Sequence, residues 1–157
     1  MGGGIRGKRR RYAGKSRSNN RLQDFTNDKE VKRRVFISFH VEDEAQVELL
    51  RQQAKDERFD IEFTDYSIKE PFDDKWKTRA AERINQSSVF ICMIGPETYK
   101  REAVLWEINK AYELGKKVIG VRIYKIENHK IPEPLLDNNA KIMDWNLKDI
   151  ASELESE

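Results

Sequence analysis

The feature that most constrains this chain is a rhythm: short runs of β-branched and aromatic residues, each followed by a turn and then a segment of helical period. The runs are Val35-Phe36-Ile37-Ser38-Phe39, Phe59 to Thr64, Ser88-Val89-Phe90-Ile91-Cys92-Met93-Ile94 and Lys117 to Ile123, with a shorter one at Ala140 to Asp144. The clearest of them are apolar almost throughout instead of alternating, which reads as strands buried on both faces. After the first run, Ala45, Leu49, Leu50 and Ala54 recur at helical spacing, and Asp43 or a neighbour can cap that helix. A second helix is predicted from about Asp73 to Asn85, bearing Trp76, Ala80, Ala81 and Ile84. Gly95-Pro96 ends the third strand, because Pro lacks an amide donor and Gly permits unusual dihedrals. From about Tyr99 a third helix carries Val104, Leu105, Ile108, Ala111 and Tyr112 on one stripe, and Leu114-Gly115 stops it. The polar segment Tyr124 to Asn139, with two prolines, reads as a long loop, and a last helix starts near Leu147.

Strands alternating with helices through short connections predict a parallel sheet with helices on both faces, since each crossover is right-handed and winds back over the sheet. The simplest five-strand arrangement is a three-layer, flavodoxin-like fold of order 2-1-3-4-5. Ligands of such sheets bind outside the carboxyl ends of the strands, at the switch point between the first and third. That directs attention to Phe39 to Asp43, Asp65 to Asp74, and Gly95 onward.

Before Arg33 the texture is different. Residues 1–34 hold 12 Lys or Arg against 3 Asp or Glu, whereas the rest of the chain holds 18 against 25. Up to Arg21 there are eight basic residues and no acid, among Gly, Ser and Asn. This is the composition of a disordered arm, so residues 1–32 are expected to be a basic arm and 33–157 the folded domain. Such an arm could make salt-dependent contacts with nucleic acid or simply be solvated. No apolar run approaches the roughly 18 residues that span a bilayer, and no apolar core marks a secretory signal, so a soluble cytoplasmic protein with no membrane partner is expected. The single cysteine, Cys92, excludes an internal disulfide framework.

Several chemistries lack their raw material. GxxxxGK[ST] does not occur, and the single GxGxxG match, Gly2 to Gly7, follows no predicted strand, against an ordinary P-loop NTPase or Rossmann dehydrogenase. With only His40, His129 and one strand-buried Cys, a Cys-His nucleophile pair or a multi-His metal site has almost nothing to draw on, and no metal ligand is assigned. A phosphoacceptor receiver needs an Asp after the third strand, and that strand ends Met93-Ile94-Gly95. Carboxylates remain. Glu107 lies between Val104, Ile108 and Ala111, so it projects beside the apolar stripe of its helix. It could stabilise a cationic sugar transition state or be a boundary residue pairing with Lys110 or Arg101. His40 could meet a ligand or bond the next helix; Asp65 could accept from ribose hydroxyls or cap a turn; Trp76 could stack on a base or be core. Asn85, Cys92 and Met93 are read as structural.

Four blocks, in order, resemble the TIR domain family from Arg34 to about Trp145. Arg34-Val35-Phe36-Ile37-Ser38-Phe39-His40 resembles its opening strand, and the Phe-His ending is especially similar to the TIR-like proteins of ThsB type in bacterial Thoeris anti-phage defence. Phe63-Thr64-Asp65 and the polar stretch to Asp74 resemble the second strand and BB loop, and Ser87 to Pro96 the third strand. Ala103-Val104-Leu105-Trp106-Glu107-Ile108, then Gly115 to Val121, resembles the WxxxE helix and the strand after it, although Ala103 stands at the usual Trp position and Trp106 sits beside the glutamate. The resemblance implies an NAD+ glycohydrolase or cyclase that uses NAD+ as substrate and no cofactor. Glu107 falls at the catalytic position, with Phe39, His40, Asp65 and Trp76 as candidate substrate-binding residues. It also implies homo-oligomers through TIR-TIR contacts and a downstream effector that senses the product. The alternatives are a non-catalytic TIR scaffold acting by self-association, and a flavodoxin-like module whose basic arm binds nucleic acid.

Overall fold

The computed structural model describes residues 33–64 and 75–156. Strand β1 is Arg33–Ser38 and is followed by a 3-10 turn, Val41–Asp43, and helix α1, Glu44–Asp56. Then come β2 (Ile61–Thr64), α2 (Trp76–Gln86), β3 (Val89–Ile94) and a second 3-10 turn at Thr98–Lys100. Helix α3 (Glu102–Glu113), β4 (Lys117–Arg122), α4 (Glu133–Asp137), β5 (Lys141–Asp144) and α5 (Leu147–Glu155) complete the order. The strands form one five-stranded sheet in the order β2-β1-β3-β4-β5, every pair parallel, as the alternation of units demanded.

Period-two alternation divides the strand side chains between two cores. Val35 and Ile37 of β1, with Val89, Ile91 and Met93 of β3, face α1 and α5. Phe36, Phe90, Cys92 and Ile94 face the opposite way, onto α2, α3 and α4. All six residues of β3 are buried, the expected state of a central strand covered on both faces. Phe36 and Phe90 stack with ring centroids 5.4 Å apart and planes 10° from parallel, which ties the two central strands on the second face.

Several sequence expectations are corrected in detail. On α1 the buried residues are Val47, Leu50 and Ala54, while Leu49 is 53% exposed and Ala45 is also exposed. The inward stripe therefore runs i, i+3, i+7 from Val47, because the helix starts at Glu44 and its phase is set by where the 3-10 turn releases it. Asp43 stands at the N-cap position but its side chain makes no capping bond. Helix α3 starts at Glu102, after a 3-10 turn instead of directly at Tyr99. The segment expected as a loop holds the short helix α4, whose Leu135 is fully buried against the second core. Gly115 ends α3 as read, at φ +72°, with its amide bonded to the Tyr112 carbonyl and the Lys116 amide to that of Ala111. This is a Schellman closure, which needs a left-handed residue at that position. No helix among the described residues is long and apolar enough to cross a membrane. Residues 1–32, to which the basic arm was assigned, lie outside the described residues.

Helix α5 is tied to the sheet by charge as well as apolar packing. Glu153 accepts from Lys141 at 2.8 Å and lies 3.3 Å from Lys117, which also donates to the Glu153 carbonyl at 2.6 Å. These lysines, Lys141 first, hold the Glu153 carboxyl below its ordinary range. A depressed carboxyl contributes stability above its unfolded value of about 4.3, and the contribution is lost as pH falls through the folded value. Glu153→Gln is therefore expected to lower the urea midpoint at pH 7 by the equivalent of about 0.5 kcal/mol. The difference from wild type should close as the pH is taken below 4. A gap that persists unchanged at pH 3 would mean that shape, and not charge, is what Glu153 supplies.

Candidate functional site

The carboxyl ends of β1 and β3 lie side by side, with Ser38 in register with Cys92. Ser38 is two residues after Phe36 and so faces α3, where Glu107 points back at it. Ser38 Oγ donates to Glu107 Oε1 at 2.8 Å, with both residues buried at 1% and 6% exposure. Val104, Ile108 and Ala111 are the other buried residues of α3, so the carboxylate sits within an otherwise apolar stripe. Burying a carboxylate is costly unless donors meet it, so the hydroxyl inside a strand that is otherwise apolar has a defined task. The cations that could have made Glu107 an ordinary boundary residue are engaged elsewhere: Lys110 bonds Glu113 at 2.9 Å and Arg101 bonds Glu97 at 2.7 Å. Cys92 lies beside the pair; burial, and then the Glu107 charge, push its thiol well above the ordinary range and leave it no role as a thiolate.

A second group of polar side chains sits at the same edge of the sheet. Asp43 is buried, with Oδ2 lacking a hydrogen-bond partner, and burial pushes its carboxyl up while His40 nearby pulls it back. The Asp43 carboxylate fills the space where residue 95 would carry a Cβ: an atom built there meets Oδ2 at 2.3 Å. Gly95 is therefore required by a close approach, where the sequence suggested only a strand terminator. Beyond it, Thr98 is fully buried and its Oγ1 accepts from the Gly95 amide at 2.9 Å and donates to the Met93 carbonyl at 3.4 Å, folding the chain back into the next turn. Glu97 is held by Lys100 at 2.9 Å and Arg101 at 2.7 Å, and these hydrogen bonds, Lys100 first, draw its carboxyl down to about 2.

The sequence candidates fall in different places. Glu107 and His40 lie on neighbouring parts of this edge, Glu107 under the end of β1 and His40 just past it. Phe39 packs with the cluster on the other face, the one holding α1 and α5. Trp76 is 7% exposed and stands edge-on to Trp106, with centroids 5.2 Å apart, in the packing of α2 on α3. Asp65, with the stretch to Asp74, lies outside the described residues. The sequence reading missed Ser38, whose signal was a lone hydroxyl in an apolar strand, and Glu97, which had none. A depression of about 470 Å³, lined by Arg51, Lys55, Arg58, Phe59, Ile61 and Phe63, opens where α1 leads into β2 and does not include Glu107.

Two substitutions test this geometry. Ser38→Ala removes a hydrogen bond to a buried carboxylate and is expected to destabilise the fold by about 1–3 kcal/mol in urea unfolding. Gly95→Ala is expected to cost about 1–3 kcal/mol. Most of that cost should vanish in an Asp43→Ala background, since the clash is with that side chain; additive effects would remove the proposed contact.

The family model for the TIR-like domain of the Thoeris protein ThsB matches residues 36–128. Among solved structures, the chain is similar to the TIR domain of the Toll-related receptor TRR-2 from Hydra magnipapillata, at 17% identity and a TM-score of 0.51. That match covers 75% of this chain and 88% of the other, and at such identity it shows a shared fold. A CMP N-glycosidase, BcmB, from Clostridium botulinum matches at 18% identity over 79% of this chain and all of the other, with a TM-score of 0.49, too low to carry an argument. No curated protein matches the sequence significantly.

Proposed function

The chain belongs to the Thoeris ThsB family of TIR-like domains, and on that footing we propose that it cleaves the bond between nicotinamide and ribose in NAD+, with Glu107 as the catalytic carboxylate. The observation that carries this reading is the burial of Glu107 at 6% exposure, held by Ser38 at 2.8 Å, under the carboxyl end of β1. That end of an open parallel sheet is where ligands bind, at the switch point between β1 and β3.

The chemistry suits a single carboxylate. The nicotinamide nitrogen of NAD+ is already quaternary, so when the C1′–N bond breaks the electron pair goes to the ring and nicotinamide leaves neutral, with no proton to supply. The paired acid and base of ordinary glycoside hydrolysis are then unnecessary. Positive charge appears instead on the ribose as an oxocarbenium, and a fixed carboxylate in a water-poor site stabilises it more than the neutral sugar before it. Ser38 restricts the rotation of Glu107, so little reorganisation accompanies the developing charge. Addition of water to C1′ gives ADP-ribose and a proton; addition of a hydroxyl of the same molecule gives a cyclic product. His40 borders this edge and contacts the ligand. The product acts as an anti-phage signal for a downstream effector, and self-association through TIR-TIR contacts completes the assembly.

Incubation of concentrated protein with NAD+, followed by chromatography, is expected to show nicotinamide release. Glu107→Gln should reduce it at least about 100-fold while circular dichroism stays unchanged. Equal turnover in the variant would remove Glu107 from the reaction, and a fully folded wild type without turnover at any concentration would favour a scaffold.

A further inference from the structure

His40, Glu42 and Glu97 together form a cluster of possible metal donors at this edge of the sheet. His40 leaves β1, Glu42 lies in the 3-10 turn after it, and Glu97 follows β3, so the pairing of β1 with β3 brings the three together. The His40 side chain is nine-tenths buried, and its Nε2 has no hydrogen-bond partner. That nitrogen is aimed at two carboxylates, 3.6 Å from Glu42 Oε2 and 3.8 Å from Glu97 Oε2. These separations are too long for hydrogen bonds. They are the spacing expected around a shared cation, because donors each about 2.1 Å from one ion stand roughly 3–4 Å apart.

We propose that His40, Glu42 and Glu97 bind one divalent transition-metal cation of the Mn2+ to Zn2+ range at the carboxyl edge of β1 and β3. The three donor atoms lie within 4.8 Å of one another, so a small closing movement of the two glutamates brings all three into range. One imidazole with two carboxylates is too nitrogen-rich for a dedicated Mg2+ or Ca2+ site and lacks the thiolates of a structural zinc site. Two histidines in the whole chain exclude a multi-His centre, but a single imidazole backed by carboxylates is a different donor set. Glu97 is pre-oriented by Lys100 and Arg101, which bond its two oxygens at 2.9 and 2.7 Å, and the oxygen bonded by Arg101 keeps a second lone pair for the ion. Glu42, with a side chain 71% exposed, closes the site from the solvent side and leaves the remaining coordination positions to water. The ion would pin the turn after β1 to the loop after β3. The inference stands on the geometry of His40 and does not depend on cleavage of NAD+.

The test uses the full chain, stripped with a chelator and dialysed, titrated separately with ZnCl2 and MnCl2 by calorimetry. Binding of one ion per chain is expected for at least one of the two, with a rise in thermal midpoint that grows with metal concentration. His40→Ala and Glu42→Gln should each weaken binding at least about tenfold, while Glu155→Gln, at the end of α5 beside the amino end of β1, should leave it unchanged. Glu42 is exposed enough that its substitution cannot unfold the chain, so it carries the result if His40→Ala fails to fold. Water-proton relaxation with bound Mn2+ gives a second readout free of any enzymatic activity. Absence of binding at millimolar metal, or equal affinity in Glu42→Gln, would overturn the proposal and leave a cluster of ion pairs.

Discussion

Glu107 has lost almost all contact with water on a helix whose other inward residues are apolar, and the 2.8 Å bond from Ser38 is what ties its carboxylate to the sheet. A carboxylate in such a place is tolerated only where donors reach it. Here the donor comes from β1, which is paired on both sides by β2 and β3, so the site is anchored in an interior strand of the sheet. Shifting β1 by one residue would turn Ser38 toward α1 and α5 and bring Ile37 under the carboxylate. Register, apolar division and chemistry are thus one constraint, since the two cores on either side of β1 fix which side chain faces which helix.

The adjoining edge is organised by close approach. The Asp43 carboxylate occupies the place of a missing Cβ at Gly95, and Thr98 bonds both the Gly95 amide and the Met93 carbonyl. The loop after β1 therefore meets the loop after β3 through the Asp43 side chain, while Thr98 folds the second loop back on its own strand. This brings Glu97, which follows β3, near His40 and Glu42, which follow β1. Trp76 and Trp106 play a related part on the helical layer, where their edge-on contact joins α2 to α3 and Trp106 takes up packing while the neighbouring Glu107 turns inward.

Most of the fold was legible because buried parallel strands are nearly continuous apolar runs, and a run such as Val89 to Ile94 has few other uses. The stop at Gly115 was legible for a local reason, the left-handed backbone at φ +72°. The phase of α1 was not, because Val47 and Leu49 are equally apolar and only the sheet decides which is covered. Helix α4 was hidden by its two flanking polar stretches, and it exists because Leu135 reaches the second core. Among site residues, Glu107 could be placed on its helix but not assigned to burial over ion pairing, since Lys110 and Arg101 were within reach in sequence and choose Glu113 and Glu97 in space.

The sequence by itself determined the number of strands, their parallel order and the position of one carboxylate beside an apolar stripe, because periodicity and β-propensity act over a few residues at a time. Only the tertiary structure decided that Ser38 holds Glu107, that Asp43 lies against Gly95 instead of capping a helix, and that Phe39 turns to the opposite core. These depend on the side-by-side placement of strands separated by some fifty residues of chain. No local pattern records which polar side chains will meet there, because the sheet and not the neighbouring sequence sets the distance between them.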